Sequence, residues 1–265
     1  GVGNLTGGAA VAGYTGLENL TGGTANDSFN VTAVHSGRVH GGDGDDTITW
    51  TGAGRVNGRV DGQGNTGTGD TLDISGATGT LTLTLGSDFI NIENLEGSND
   101  ILVGSNGTAS TWDLSGGADV GTLTGSGTTV AFDGFGTVRS GSGGNNTFTA
   151  DGSYGGTVNL TGTRNTWDYT AGVTLTTGAV AGNGSLTVAG PAAGLDLAVD
   201  AGDLVLPNLA GLTGPLFIGG EVTPATTPLN NQTITINTDI LTVNEIITTG
   251  GDIVLLGGQI NLDTP

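Results

Sequence analysis

"GGDGDDTITW", residues 41–50, places two physical instructions end to end. Gly41, Gly42 and Gly44 free the backbone for positive φ, and Asp side chains bond their own neighbouring backbone, so the first half prescribes a turn. Thr47, Ile48, Thr49 and Trp50 then alternate polar and apolar, the period of a half-buried strand.

The phrase recurs along the chain. A glycine-rich turn, a small polar pair and one apolar or aromatic residue reappear in "GGTANDSF", "GTGDTL", "EGSNDI", "GTASTW", "GSGGNNTF" and "GTRNTW". With residues 41–48 included, the closing positions are Phe29, Ile48, Leu72, Ile101, Trp112, Phe148 and Trp167, separated by 19, 24, 29, 11, 36 and 19 residues. The separation of 36 lies near two turns of a period close to 19 or 20. A second echo, "NLTGG" at 4–8 and 19–23, "ENLEG" at 93–97 and "NLTGT" at 159–163, follows the same ragged spacing. Later Leu186, Leu195 and Leu204 lie nine apart, as two short strands per turn would require.

Composition points the same way. Of 265 residues 54 are glycine, so helices are interrupted in nearly every window of ten and short strands must form the core. One repeat cannot bury its apolar face alone, and parallel stacking of successive repeats supplies the cover. The expected fold is all-β: a right-handed parallel β-helix, or β-solenoid, with ragged coils of about 19–20 residues. All six prolines fall after residue 190, and proline is poorly tolerated in centrally paired strands. The chain therefore divides softly into 1–190, a Gly/Asn/Asp-rich section, and 191–265, a proline-containing excursion around 207–231 followed by more aliphatic coils of the same rod.

Twenty-five acidic residues face five arginines, a formal charge of −20, which argues against nucleic acid as a partner. Cysteine is absent, so disulfides and thiolate metal sites are excluded. No apolar run is long enough to span a membrane, and no membrane insertion is expected. Without an initiator methionine the chain reads as a section of a longer protein. Its acidic, cysteine-free composition suits a secreted protein.

"GLENLTGGTANDSF" (16–29), "GDTLDISGATGTLTLTLG" (69–86), "NIENLEGSNDILVG" (91–104) and "TTGGDIVLLGGQINL" (248–262) resemble the β-helical repeat region of filamentous-haemagglutinin-like exoproteins. These are secreted bacterial adhesins of the two-partner-secretion type. The resemblance implies a right-handed β-helix and an extracellular or cell-surface location. It further implies a non-catalytic structural or adhesive role whose partners are other copies, neighbouring segments of the same exoprotein, or a host or cell-surface glycan or protein. Residues 41–49 also fit one nonapeptide of the repeat-in-toxin pattern, which would make Gly42, Gly44 and Asp46 a calcium turn. Neither flanking nonapeptide repeats the pattern, and the competing reading is a turn between strands, with no cofactor.

Other chemistry is weighed against plainer roles. Asp45/Asp46 and Asp70/Asp73 are candidate carboxylate pairs for polysaccharide cleavage, but such sites need acids converging from adjacent coils, and scattered Asp in turns is ordinary; no enzyme is expected. His35 and His40 lie five apart, hence on opposite strand faces, and read as exposed polar residues. Trp112 and Trp167 occupy the slot of Phe29, Ile48 and Phe148 and read as core, and Trp50 shares the face of Ile48. Threonine runs such as "TLTLTL" (80–85) raise ice binding, against which the irregular repeat spacing argues.

Overall fold

The computed structural model describes residues 2–7, 10–15, 18–149, 154–161 and 165–168, and strands at 179–182, 186–189, 211–212, 216–219, 234–243 and 253–262; side chains are described for 18–149, 154–161 and 165. The described residues hold no helix. Parallel stacked sheets form a β-solenoid of about 6 turns.

The repeated phrase builds one wall of that solenoid. Strands Ser28–Val31, Thr47–Gly52, Thr71–Ala77 and Asn94–Glu96 pair in parallel, placing Phe29, Ile48, Leu72 and Leu95 in one column. All four are buried, because each lies in register beneath the next coil's apolar residue. The chain then crosses to a second wall. For residues 19–64 the coil is three-sided. It runs through a four-stranded sheet (Asn19–Thr21, Arg38–Asp43, Val60–Gly64, Phe89–Ile90), the main sheet, and a pair of short strands, Val34–His35 and Arg55–Val56. From Thr82–Thr84 onward the third side becomes a six-stranded sheet that aligns Leu83, Leu102, Val138 and Val158. After Phe89–Ile90 the four-stranded sheet ends, and the coil alternates between the main and six-stranded sheets.

Two antiparallel excursions depart from the all-parallel expectation. Val2–Gly7 and Ala10–Thr15 form a hairpin whose first strand pairs antiparallel with Ser28–Val31, at one edge of the 15-stranded main sheet. Thr111–Gly117, Val120–Gly125 and Thr128–Asp133 form a meander inside the same sheet. Trp112 consequently pairs directly with Phe148, although 36 residues separate them. That interval is one hairpin plus one coil, rather than the two turns its length suggests. The two rings stack at 5.8 Å with planes 3° apart, and Phe132 meets the Trp112 ring edge-on at 6.1 Å.

Ile101 is also placed differently. Its phrase "EGSNDI" looks like the others, yet Ile101 sits half-buried on the six-stranded sheet, opposite Thr82 and Thr137, while its neighbour Leu102 points inward. Leu95 fills the main-sheet slot instead. The boundary near 190 and most of the 207–231 excursion, with Leu195 and Leu204, lie outside the described residues. Gly211–Leu212 and Leu216–Gly219 extend the six-stranded and main sheets.

This exchange of slots is measurable. Leu95→Ala empties a fully enclosed position and is expected to reduce unfolding free energy by about 2–5 kcal/mol, whereas Ile101→Ala removes a half-exposed side chain and is expected to cost roughly 1 kcal/mol. Denaturant unfolding of the two variants checks the order.

Candidate functional site

The polar residue two positions before each inward apolar residue shares its strand parity and therefore faces the solenoid interior. In the main sheet these residues are Asp27, Asp46, Asp70 and Glu93, then Ser110 just before the meander, and Asn146 and Asn165 after it. The side chains of Asp46, Asp70, Glu93, Asn146 and Asn165 connect coil to coil. Asp27 N–H donates to Asp46 Oδ1 at 2.7 Å, Asp46 N–H to Asp70 Oδ1 at 2.7 Å, and Asp70 N–H to Glu93 Oε2 at 2.9 Å. Ser110 N–H donates to Asn146 Oδ1 at 3.1 Å, and Asn146 Nδ2 donates to Asn165 Oδ1 at 3.1 Å. On the six-stranded wall Asp100 plays the same part, accepting from Leu81 N–H at 2.7 Å. Each of these backbone N–H groups precedes a strand and would otherwise be left without an acceptor at the turn.

Asp46, the acid of the expected calcium turn, is thus 1% exposed and belongs to this ladder. Gly42 and Gly44 adopt φ of +112° and +128°, the turn conformations that favour glycine. They pack on the preceding turn: a methyl group added at Gly42 would lie 2.2 Å from Gly23 O, and one at Gly44 2.7 Å from Ala25 C. Among the described residues no group of three or more His, Asp or Glu side chains is placed to hold a metal ion.

The carboxylates do not sit as comfortably as the amides. Asn146 occupies its slot with Oδ1 accepting from Ser110 and Nδ2 donating to Gly141 O at 3.1 Å, five residues earlier. Asp46 and Asp70 have the same first contact, but their second oxygens are buried without a donor. Asp46 Oδ2 lies against Gly41 and Asp70 Oδ2 against Gly62, where a methyl group would come within 2.2 Å of either oxygen. These slots are shaped for a group that donates. Burial, and then the charges of Asp46, Glu93 and Asp45, raise Asp70 from 3.8 to about 6, against the lowering effect of the Asp46 N–H. Asp46 is raised as well, chiefly by burial.

The other candidate acids have separate duties. Asp45 accepts from the N–H groups of Thr66, Gly67, Thr68 and Gly69 in the next coil's turn, which hold its carboxyl below the usual range, Thr66 foremost. Asp73 faces outward and accepts from the Ser75 N–H and hydroxyl. Asp113 repeats that arrangement with Ser115. Asp46 and Asp70 do meet across adjacent coils, but as ladder rungs enclosed inside the rod.

The histidines lie on different strands, His35 in Val34–His35 and His40 in Arg38–Asp43, and neither is the exposed residue expected. His35 is fully buried, with Nε2 3.4 Å from Arg38 O, and burial lowers its pKa. His40 lies half-buried 3.8 Å from Asp61, which also receives Asn91 Nδ2 at 2.8 Å and stands 3.9 Å from Arg59. Trp50 and Trp112 are core residues at 3% and 0% exposure; Trp167 pairs with Phe148 in backbone register.

The outward face of the main sheet corrects the argument from spacing. Its registers align Thr47 with Thr71, and Thr129, Thr124, Thr111 and Thr147 in one row, because loops absorb the irregular repeat length. Acidic Asp73, Glu96 and Asp133 form the neighbouring row. The face is therefore a mosaic of threonine and acid. Comparison with known proteins identifies no relative: no family model, no curated protein and no solved structure matches the chain.

The buried rung Asp70 and the outward Asp45 titrate oppositely. Asp70, raised in the fold, contributes stability that is complete below about pH 3.8 and lost as the pH rises through about 6. Asp45, lowered, contributes stability present above its ordinary range and lost on acidification. Asp70→Asn is expected to unfold less readily than the parent near neutral pH, by roughly 1–2 kcal/mol, with the advantage gone by about pH 4. Asn146→Asp is expected to do the reverse, losing stability near neutral pH. Thermal melts across that pH interval read both.

Proposed function

We propose that the chain is a non-catalytic structural or adhesive section of a secreted or cell-surface bacterial fibre or exoprotein, of the filamentous-haemagglutinin-like kind that its phrases resemble. The observation that carries this reading is where the polar side chains are spent. Asp27, Asp46, Asp70, Glu93, Asp100 and Asn146 all receive backbone N–H groups or bond one another across coils. What recurs through the sequence is thus the material of a rod: turn, rung and inward apolar residue.

Self-association is part of the proposal. The main sheet has outer strands at both ends of its order, Ala10–Thr15 and Ile253–Leu262, and an outer strand carries backbone groups able to pair with another chain. Neighbouring segments of a longer exoprotein, or further copies, are the natural occupants. Electron microscopy of the full-length native material beside this section tests the reading: a shaft or filament of uniform width supports it, and a compact particle would sink it.

Two other classes remain measurable. A polysaccharide-cleaving β-helix would place reactive acids on an open face, and the outward Asp73, Glu96 and Asp133 are the acids to test. Purified chain is expected to leave acidic and neutral polysaccharides at unchanged length; turnover abolished by a single Asp→Asn change on that face would replace the structural reading. A calcium module would use Gly42, Gly44 and Asp46. Melts in chelator and in millimolar calcium are expected to superimpose. A calcium-dependent rise that disappears in Asp46→Ala would assign the carboxylate to the ion, since a ligand bound only by the native state stabilises it.

A further inference from the structure

Asparagine followed by glycine is the pair in which a main-chain nitrogen most readily attacks the preceding side-chain amide, because glycine has no β-carbon to crowd the approach. The sequence holds three such pairs, Asn57–Gly58, Asn106–Gly107 and Asn183–Gly184, and the first two lie among the residues whose side chains are described. Both Asn57 and Asn106 are exposed, so sequence and exposure rank them equally. Their hydrogen bonds do not.

The attack consumes the glycine N–H, so the bond that this N–H makes decides what the reaction costs. At the first pair it belongs to the coil ladder: Asn57 N–H donates to His35 O at 2.8 Å and Gly58 N–H to Gly37 O at 3.2 Å. Gly58 is also pressed on the preceding coil, since a methyl group there would lie 2.2 Å from Gly37 O. Attack by the Gly58 nitrogen has to break a coil-to-coil bond. At the second pair Gly107 N–H makes only a long bond, 3.3 Å, to the Ser105 hydroxyl oxygen. Nothing lies within 4 Å of where a methyl group on Gly107 would sit. The Asn106 amide is prepared at its other end as well. Its Oδ1 accepts from the Ser142 N–H at 3.1 Å and from the Ser142 hydroxyl at 3.2 Å. Two donors on one carbonyl oxygen draw electron density from Cγ and stabilise the charge that develops on that oxygen during attack. Nδ2, which has to leave, donates to no described residue.

We infer that Asn106 is a site of spontaneous deamidation and isoaspartate formation in the folded chain, and that the fold protects Asn57 from the same reaction. The Gly107 nitrogen bonds to Asn106 Cγ, the Cγ–Nδ2 bond breaks, and the Gly107 proton leaves with Nδ2 as ammonia. Water then opens the cyclic imide. Entry at Cγ gives aspartate; entry at the main-chain carbonyl gives isoaspartate, whose chain runs on through Cγ. Aspartate keeps the Ser142 N–H and hydroxyl on a charged acceptor, which strengthens both bonds. Isoaspartate instead lengthens the main chain at the corner between Ile101–Val103 and Thr111–Gly117, where the coil passes from the six-stranded sheet to the main sheet. The inference does not rest on the rod's structural role, because the two asparagines differ in their bonds whatever the whole protein does.

Peptide mapping by mass spectrometry of the whole chain, incubated in mildly alkaline buffer with and without denaturing urea, tests it, and enzymatic methylation of isoaspartate is the second readout. In urea Asn57 and Asn106 are expected to convert at similar rates. In the folded chain Asn106 is expected to outpace Asn57 by about tenfold, the factor that one retained ladder bond supplies, with isoaspartate found at 106. Gly107→Ala, for which the corner has room, is expected to slow conversion at Asn106 several-fold with the circular dichroism unchanged, because the added methyl crowds the attacking nitrogen. Asn57 converting as fast as Asn106 in the fold, Asn106 staying intact in the folded chain, or Gly107→Ala leaving the rate unchanged would each overturn the inference.

Discussion

Backbone N–H groups at the turns have to be satisfied from the neighbouring coil, and this constraint orders the rest of the structure. In a stack of short parallel strands, sheet hydrogen bonds cover the strand residues only; the residue just before each strand has its N–H pointing along the stack with no strand partner. Here a side-chain oxygen from the next coil meets it, supplied by Asp46, Asp70, Glu93 or Asn146. The rung residue must be polar and inward, which fixes its parity against Phe29, Ile48, Leu72 and Phe148. Register, core and turn are thereby set by one spacing.

Because the rung changes from carboxylate to amide along the stack, the stack is not chemically uniform. Residues 27–93 use acids, and 146–165 use asparagine, which fills both halves of its slot. Adjacent buried carboxylates repel and are poorly solvated, so the acidic stretch holds its geometry against an electrostatic load that the amide stretch does not carry. Asp45, one residue from Asp46, shows the alternative: facing out, it gathers four N–H groups and is comfortable as an anion.

Much of the fold was legible because the turn-and-strand phrase is a local signal and the stacking follows from its incompleteness. Which wall a phrase joins was not legible. "NLTGG" at 19–23 lies on the four-stranded sheet, "ENLEG" at 93–97 on the main sheet, and "NLTGT" at 159–163 begins on the six-stranded sheet. The residues are nearly the same because strand and turn are what they encode; the wall depends on how many residues the preceding corner consumes. The same limit displaced Ile101 and hid the meander at 111–133. For the acids, parity with Ile48 marks Asp46 as inward and Asp45 as outward, a signal present in the sequence but obscured by the doublet.

Strands in this molecule run across the long direction of the stack, so the hydrogen bonds between coils lie along it. Tension applied to the two ends of the chain therefore loads those bonds a few at a time, coil after coil, as a zipper is opened from its end. Each released coil of about 20 residues would lengthen the chain by roughly 70 Å at full extension. A stack of this kind would yield under load in small steps and keep its remaining coils folded, dissipating mechanical work without failing as a whole.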